Sequence, residues 1–280
     1  MYILRTRPLL VFSIIFIFLT LPLCLLSASE LNPRLRFSSS LNLPTIAATG
    51  ITVGAFTIFE AQLSPSHCQW CDSNGFDSSS RNKMRWSKTN LANNLSHLTG
   101  FVLTPAWTLG THAWLDWKHN DFGSFYEDAL VISEATLVAG LAGQIVQFLV
   151  GRECPDTHFT GAHANQSARN TSFYSGHSTI AFALATSSGT VASLRQREEA
   201  PWIWAGGLAL AGFTSYLRVA ADRHYLTDVL VGAAAGSAIG FAIPYFFHAP
   251  NSTEKASVNH FQWVVFPSSV GMIASIDYRW

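Results

Sequence analysis

The sequence has few charged residues, and the two signs cancel. Only 12% of the 280 residues are charged, and the 17 lysines and arginines equal the 17 aspartates and glutamates in number. A chain with no net charge and no basic run lacks the long-range attraction that draws proteins to a polyanion. The composition therefore argues against a nucleic acid partner.

Cysteine is also scarce, and its spacing excludes the common zinc patterns. Of the four cysteines, Cys24 lies in an N-terminal apolar run, Cys154 stands alone, and only Cys68 and Cys71 form a C-x-x-C pair. No second pair accompanies them, and no thioredoxin-like strand precedes them. In an exported protein such a pair is typical of a local disulfide that fastens a loop. We predict a Cys68–Cys71 disulfide rather than a redox or zinc site.

The N-terminus has the pattern of a targeting segment. Arg5 and Arg7 precede an apolar run from Leu9 to Leu26, which ends in the small residues of "LLSASE". A charged start, an apolar stretch and small residues at its end indicate a signal peptide. The run is also nearly long enough for an anchor helix. We interpret segment 1–28 as a signal peptide or anchor, and both alternatives export the rest of the chain or embed it in a membrane.

Six apolar stretches, each long enough for a helix of four or more turns, predict an all-α fold. They lie at 43–62, 95–114, 126–150, 176–193, 201–217 and 228–247. Polar loops rich in Gly, Ser and Asn separate them, and the longest are 63–94 and 151–174. We expect a six-helix bundle as one domain. The aromatic and β-branched residues of the tail, 251–280, predict a short β-hairpin.

Hydropathy leaves membrane insertion open. The mean hydropathy is +0.22, and much of it comes from the N-terminal run. The stretch 126–150 carries Glu127, Asp128 and Glu134, and carboxylates are unfavourable in lipid unless they face a functional interior. A helical globule and a partial membrane protein both fit the pattern. The balance slightly favours a periplasmic domain that contacts a membrane.

The first candidate site is "FYSGHSTIAFALA", residues 173–185. Ser175 is placed as the N-cap of a helix, Gly176 lets a ligand approach the backbone, and His177 falls in the first turn. Free N–H groups and the helix dipole make such a terminus an anion site. A histidine there can donate a proton to a leaving group. The alternative is an ordinary cap followed by an exposed histidine.

The second candidate is "RVAADRHYLTDVL", residues 218–230. His224 and Asp228 are four residues apart and share a helix face, so the aspartate can fix the tautomer of the imidazole. Arg218 offers a planar fork that suits phosphate oxygens. The alternative is a solvated loop in which the His–Asp pair caps the following helix.

The third candidate is "QFLVGRECPDTHF", residues 147–159. Gly151 and Pro155 end the preceding helix. Arg152 is then a second possible phosphate ligand. A lone arginine near a helix C-terminus is otherwise a common partner of the helix dipole.

Together these motifs resemble the type 2 phosphatidic acid phosphatase (PAP2) superfamily, which includes vanadium haloperoxidases and bacterial class A acid phosphatases. The family's third motif is Ser-Arg, five residues, His, three residues, Asp. This chain has Leu217 in place of the Ser, then Arg218, His224 and Asp228 at the family's spacing. The second motif, Pro-Ser-Gly-His, matches residues 174–177 except for its first position. The resemblance covers roughly residues 95–247.

The first motif of the family, Lys, six residues, Arg, Pro, is degenerate in this chain. Gln147 stands at the Lys position and Cys154 at the Arg position, and only Pro155 matches. Arg152 remains as an additional arginine upstream. Two cations that would hold phosphate oxygens are thus absent, which puts catalytic activity in question more than the fold.

The resemblance implies a reaction that needs no metal or other cofactor. His224 would attack phosphorus and form a phosphohistidine, Asp228 would orient it, and His177 would protonate the leaving oxygen and then activate water. The phosphate-binding groups would be Arg218, the backbone N–H groups of Ser175 and Gly176, and additionally Arg152 and Gln147.

The resemblance accordingly implies an exported phosphatase for a phosphomonoester or a lipid phosphate or pyrophosphate, located in the periplasm or membrane with its site on the extracytoplasmic side. Its domains would be the N-terminal helix and C-x-x-C loop at 29–94, the catalytic core at 95–250 and the tail. A weak or inactive relative that binds phosphate groups is the first alternative. A vanadium-dependent haloperoxidase is the second, but vanadate needs the same missing cations.

Overall fold

The structure is a computed structural model that describes residues 33–161 and 169–250, and the backbone of 262–268 and 271–277. The predicted signal or anchor segment, 1–28, lies outside the described residues. Contacts between residues divide the chain into two units, 1–249 and 250–280.

The named secondary-structure elements in the described part of the first unit are all helices. Its α-helices are α1 (Ser39–Ile58), α2 (Glu60–Leu63), α3 (Gly75–Met84), α4 (Thr89–Leu98), α5 (Thr104–His119), α6 (Phe122–Val150), α7 (Pro155–Thr160), α8 (Gly176–Leu194), α9 (Ala200–Ala220) and α10 (Leu226–Ala242). Two π-helical segments, Thr99–Leu103 and Ile243–His248, join α4 to α5 and extend α10. In the second unit, β1 (Gln262–Ser268) pairs antiparallel with β2 (Gly271–Asp277), and Ser268 lies opposite Gly271.

Helix α8 lies at the centre of the bundle and packs against α6, α9 and α10. Small residues allow α10 to approach it closely. A methyl group at Gly232 would lie 2.7 Å from the carbonyl oxygen of Ser175, and one at Gly236 would overlap the backbone of Thr179. Since α8 and α10 each carry a candidate motif at the N-terminus, this close packing brings the two motifs together.

The prediction of six helices was incomplete. The predicted loop 63–94 contains α3 and most of α4, and the predicted loop 151–174 contains α7. These helices are short and polar, so they have no apolar run to reveal them. Local capping supports α3, since the side chain of Asn74 accepts a hydrogen bond of 2.8 Å from the backbone N–H of Asp77.

Among the described residues, three helices are long and apolar enough to cross a membrane, namely Ser39–Ile58, Phe122–Val150 and Leu226–His248. Their length matches the apolar core of a bilayer. The carboxylates of α6 that weighed against insertion have partners within the protein, because Glu127 and Asp128 bind Arg195 at the end of α8 and Glu134 lies 3.2 Å from Nε2 of His248. These features support a membrane location and favour the membrane protein over the helical globule.

Candidate active site

The three sequence motifs meet at one end of the bundle. This end is formed by the C-terminus of α6, the N-terminus of α8, the C-terminus of α9 and the N-terminus of α10. Direct bonds join the motifs: Arg152 binds the Asp228 carboxylate, and the backbone N–H of Ser175 donates to the Asp228 carbonyl at 3.1 Å. Residues more than 75 positions apart in sequence thus form one polar cluster.

His224 is held by a backbone carbonyl rather than by the predicted aspartate. Its Nδ1 lies 2.8 Å from the carbonyl oxygen of Ser172, whereas Oδ2 of Asp228 is 3.8 Å away. Because a carbonyl can only accept, Nδ1 carries the proton and Nε2 keeps its lone pair. Burial lowers the pKa of His224, which favours the neutral imidazole. The lone pair of Nε2 is therefore available for bonding to an electrophile or for accepting a hydrogen bond.

Asp228 organises the loop around His224. Its Oδ2 accepts from the hydroxyl of Ser172 at 2.6 Å and from the backbone N–H of Tyr225 at 2.9 Å. Its Oδ1 accepts from Arg152. Since the same Ser172 offers its carbonyl to His224, Asp228 acts on the imidazole mainly through this serine.

Arg152 does not occupy the predicted position as a phosphate ligand. One terminal nitrogen binds Asp228 and Thr227, and the other binds Asp77 of α3 at 2.8 Å. The guanidinium is fully buried between the rings of Trp70 and Tyr225, each centred 4.0 Å from it. Both terminal nitrogens of the guanidinium therefore bind carboxylates, and Arg152 stabilises the site by holding Asp228 in place.

Arg218 has a different environment from the other buried arginines. Its side chain is 7% exposed and donates to Oδ1 of Asn93 at 3.0 Å and to the hydroxyl of Ser96 at 3.1 Å. Within the described part of the chain, Nε has no hydrogen-bond partner and no carboxylate forms an ion pair with it. Burial lowers its pKa to about 10, so the group is still a cation at neutral pH. A buried cation without a counter-ion favours the binding of an anion.

His177 forms a contact that the sequence did not suggest. Its Nε2 lies 3.0 Å from Nδ1 of His97 in α4, and its ring packs edge-on against Phe101 at 4.7 Å between centroids. Burial lowers the pKa of His177 well below its usual value, and the neighbouring Arg218, His97 and His224 lower it further. These charged and titratable side chains therefore lie within electrostatic range of His177. As one histidine of the apolar stretch 95–114, His97 gave no signal that it belongs to the site.

The N-terminus of α8 is less open than predicted. The backbone N–H of Ser175 is used by the Asp228 carbonyl, so it is not available to phosphate. The Ser175 hydroxyl accepts from the Ser178 hydroxyl at 3.1 Å and caps the helix. Gln147 donates from Nε2 to the carbonyl oxygen of Tyr174 at 2.8 Å, and a methyl group on Gly176 would lie 3.5 Å from that nitrogen. Gln147 therefore binds the loop backbone beside Gly176.

Cys154 is buried at the start of α7, where the resemblance would place an arginine. Its backbone N–H donates to the Arg169 carbonyl at 2.8 Å. Burial raises the pKa of its thiol to about 12, so the side chain is neutral at physiological pH. The first motif thus supplies no free cation at either of its degenerate positions.

The C-x-x-C loop packs against the back of the site. Cys68 and Cys71 are joined by a disulfide, and between them Trp70 stacks on Arg152 and lies 5.5 Å from Phe173. The Trp70 carbonyl accepts from the backbone N–H of Glu153 at 3.1 Å. Gly151 adopts a positive φ of 57°, and this turn lets the chain leave α6 along the loop.

Comparisons with known proteins give a family model, a curated relative and a solved structure that are similar to this chain. The family model described as the PAP2 superfamily matches residues 128–252. A lipid A 1-phosphatase from Porphyromonas gingivalis is 34% identical over 113 residues, which are 40% of this chain and 22% of that protein. This chain therefore spans about a fifth of the length of that curated relative. The crystal structure of a transmembrane PAP2-type phosphatidylglycerolphosphate phosphatase from Bacillus subtilis is similar at 16% identity and a TM-score of 0.47, over 77% of this chain and 97% of that one.

Proposed function

We propose a phosphatase function for this chain, which belongs to the PAP2 superfamily. The proposed substrate is a lipid phosphate or another phosphomonoester, and the reaction proceeds through a phosphohistidine. One observation carries the proposal: the buried cation of Arg218 has no carboxylate partner among the described residues and adjoins His177 and His224. This arrangement offers an anion a binding group, a nucleophile and a proton donor together.

The proposed reaction has two steps. Nε2 of His224 attacks phosphorus, a P–N bond forms, and the P–O bond to the leaving group breaks as His177 gives that oxygen a proton. Water then attacks phosphorus, His177 takes a proton from it, and the P–N bond breaks to release inorganic phosphate. Arg218 stabilises the equatorial oxygens in both steps, Gly176 leaves room for them, and Asp228 keeps Ser172 in place behind the nucleophile.

We place the site on the extracytoplasmic side of the membrane. The Cys68–Cys71 disulfide lies at the same end of the bundle as the site, because Trp70 between these cysteines stacks on Arg152. Disulfides persist in oxidising compartments and are rare in the cytosol. A site at this end of membrane helices suits a lipid whose phosphate lies at the outer surface.

A weak or inactive relative that binds phosphate groups is the second candidate. The observation in its favour is that Gln147 and Cys154 are neutral where the superfamily pattern has cations, while Arg152 is bound to carboxylates. Charge-assisted hydrogen bonds contribute about 1.5–3 kcal/mol each, so two missing cations matter for turnover. The same absence weighs against a vanadium-dependent haloperoxidase, since vanadate needs those charges as well.

Phosphate release tests the proposal. Purified wild type, His224→Ala and the control His119→Ala, which changes an exposed histidine at the far end of α5, are assayed on a chromogenic phosphomonoester, phosphatidic acid and a polyprenyl pyrophosphate. We expect release by wild type and His119→Ala that persists in a metal chelator, and none by His224→Ala. Equal background release by all three proteins would reject the phosphatase in favour of the inactive relative.

A second pair of substitutions distinguishes a site that has lost activity with its two cations from a site in which other residues replace them. Gln147→Lys and Cys154→Arg together restore the cations of the first motif. If the missing cations have cost the site its activity, phosphate release rises strongly in this double variant. If Arg218 and its neighbours already replace those cations, turnover changes little, or falls because Cys154 is buried.

A further inference from the structure

A polar cavity of about 210 Å³ lies beside the loop that follows α9 and the first turn of α4. Arginines from three parts of the chain line it, namely Arg85 after α3, Arg169 before α8 and Arg223 after α9. Asp156 and Asp222 lie in the same wall. The volume is several times the ~30 Å³ that one water occupies in the liquid, so a phosphate group fits.

The wall carries more positive than negative charge. Asp222 binds Arg81 and Arg85, with Nε–O distances of 2.6 and 2.8 Å. Asp156 binds Arg169 at 2.8 Å and Arg223 at 3.3 Å. Three guanidinium groups and two carboxylates thus line the cavity, and Arg81, which lies outside the lining, adds a further positive charge next to Asp222. Such a local excess attracts anions.

The arginines also keep donors for a ligand. Toward Asp222, Arg85 uses only Nε, so within the described residues its terminal nitrogens make no hydrogen bond. Arg223 likewise uses only one terminal nitrogen, toward Asp156. A planar guanidinium that offers two parallel N–H groups matches the oxygens of a phosphate better than a lysine would.

Helix α4 connects the cavity to the reaction centre. Thr89 and Asn90 line the cavity, Asn93 binds Arg218 one turn later, and His97 contacts His177 after a further turn. Residues at this spacing share one face of a helix. At 1.5 Å per residue, the backbone of Asn90 lies about 5 Å along the axis from that of Asn93. The cavity is therefore about one helical turn from the phosphate that Arg218 would hold.

We propose that this cavity is a second phosphate-binding subsite beside the reaction centre. The inference rests on the proposed function for the identity of that centre. The shared chemistry is a phosphate group, and it has two possible sources. It is either a second phosphate on the substrate, close to the one that is cleaved, or free phosphate that leaves after hydrolysis.

The test uses the double variant Arg85→Gln/Arg169→Gln of the full chain. In this variant Asp222 keeps Arg81 and Asp156 keeps Arg223, so neither carboxylate is left without a cation. The melting temperature in the same detergent checks the fold. The matched control is Lys118→Gln, which removes an exposed cation that pairs with Glu199 at the other end of the bundle.

Binding is measured first, because it needs no turnover. Orthophosphate and methylenediphosphonate, a diphosphate analogue that is not hydrolysed, are titrated into wild type, the double variant and the control. If the subsite takes a second phosphate of the substrate, the double variant loses about tenfold in affinity for the diphosphonate and keeps its affinity for orthophosphate. If it takes free phosphate, the affinity for orthophosphate falls as well. Unchanged affinities for both probes overturn the proposal.

Kinetics then identify the source. Farnesyl monophosphate and farnesyl diphosphate differ by one phosphate and share the same chain. A subsite for the substrate raises KM for the diphosphate alone in the double variant, whereas a subsite for free phosphate weakens product inhibition and leaves both KM values unchanged. If wild type releases no phosphate from either lipid, the proposed function fails, and the binding measurements still decide on the subsite.

Discussion

At the scale of single residues, the acid–base properties of the site depend on His97. It contacts His177 through a nitrogen pair at 3.0 Å, and it stacks on Phe101, which also touches His177. One nitrogen of the pair must donate, so His97 fixes which nitrogen of His177 carries the proton. It is a positioning residue for the proposed general acid, in the way that Ser172 positions His224.

We therefore expect His97→Gln to lower kcat in a manner that depends on the leaving group. An alkyl phosphate needs protonation of its leaving oxygen and should lose about tenfold, whereas a nitrophenyl phosphate needs none and should lose little. KM should stay within about twofold for both, because His97 does not hold phosphate in the proposed mechanism. An equal loss on both substrates, or the same loss in the control His119→Gln, would contradict this role.

The pH dependence follows from the same residues. Burial lowers the pKa of His177 well below the usual value of 6.5, and it also lowers the pKa of His224. The acid must be protonated, and this form is lost as pH rises through the lowered pKa. The nucleophile must be neutral, and this form persists down to its own lowered pKa. The maximum of kcat/KM should therefore lie on the acid side of 6.5, measured with a soluble phosphomonoester. A maximum at alkaline pH would exclude His177 as the acid.

The sequence motifs predicted candidate site residues but not their partners. The structure brings His177, Arg218, His224 and Asp228 to one end of the bundle, where the N-termini of α8 and α10 and the C-terminus of α9 meet. The partner of Arg152 could not be predicted, because Asp77 lies 75 residues upstream in a polar segment. The docking of α3, together with the position of Asp228 on α10, decides that Arg152 binds carboxylates instead of phosphate.

At the scale of elements, the C-x-x-C loop is a support for the site. Its disulfide presents Trp70 to Arg152, and Arg152 in turn holds Asp228. Hydropathy located the long helices, because each has an apolar run. It could not locate α3, α4 or this loop, since their contribution is polar and depends on contacts distant in sequence.

We expect Trp70→Ala to lower kcat by about tenfold, because Arg152 loses one of the two rings that confine it and Asp228 becomes less fixed. KM should change less, since Arg218 is untouched. The matched control is Trp202→Ala, because the side chain of Trp202 is 75% exposed on α9. Phosphate release and melting temperature are measured together. A variant that melts earlier but keeps full kcat would show that the loop supports only the fold.

At the scale of the whole helical unit, a second polar cluster lies at the end opposite the site. Asp128 accepts from Nδ1 of His112 and from Nε of Arg195, each at 2.8 Å, and all three side chains are essentially buried. Nε2 of His112 lies 3.2 Å from the hydroxyl of Ser188. A Ser–His–Asp arrangement can be catalytic, but these groups are enclosed between α5, α6 and α8, where a substrate has no access. The cluster therefore fastens the helices together.

Substitution of Asp128 by Asn should separate stability from catalysis. It leaves Arg195 with one carboxylate fewer in a buried position, which lowers the free energy of unfolding by about 3 kcal/mol. Asp128 and Gln147 are 19 residues apart on α6, so about 28 Å of helix separates the cluster from the site. The folded fraction of Asp128→Asn should therefore keep kcat and KM within about twofold.

Unfolding in detergent and phosphate release are compared with Lys118→Met, an exposed ion-pair variant expected to change stability by less than about 1 kcal/mol. A loss of turnover in Asp128→Asn without a loss of stability would mean that the two ends are coupled through α6 and α8.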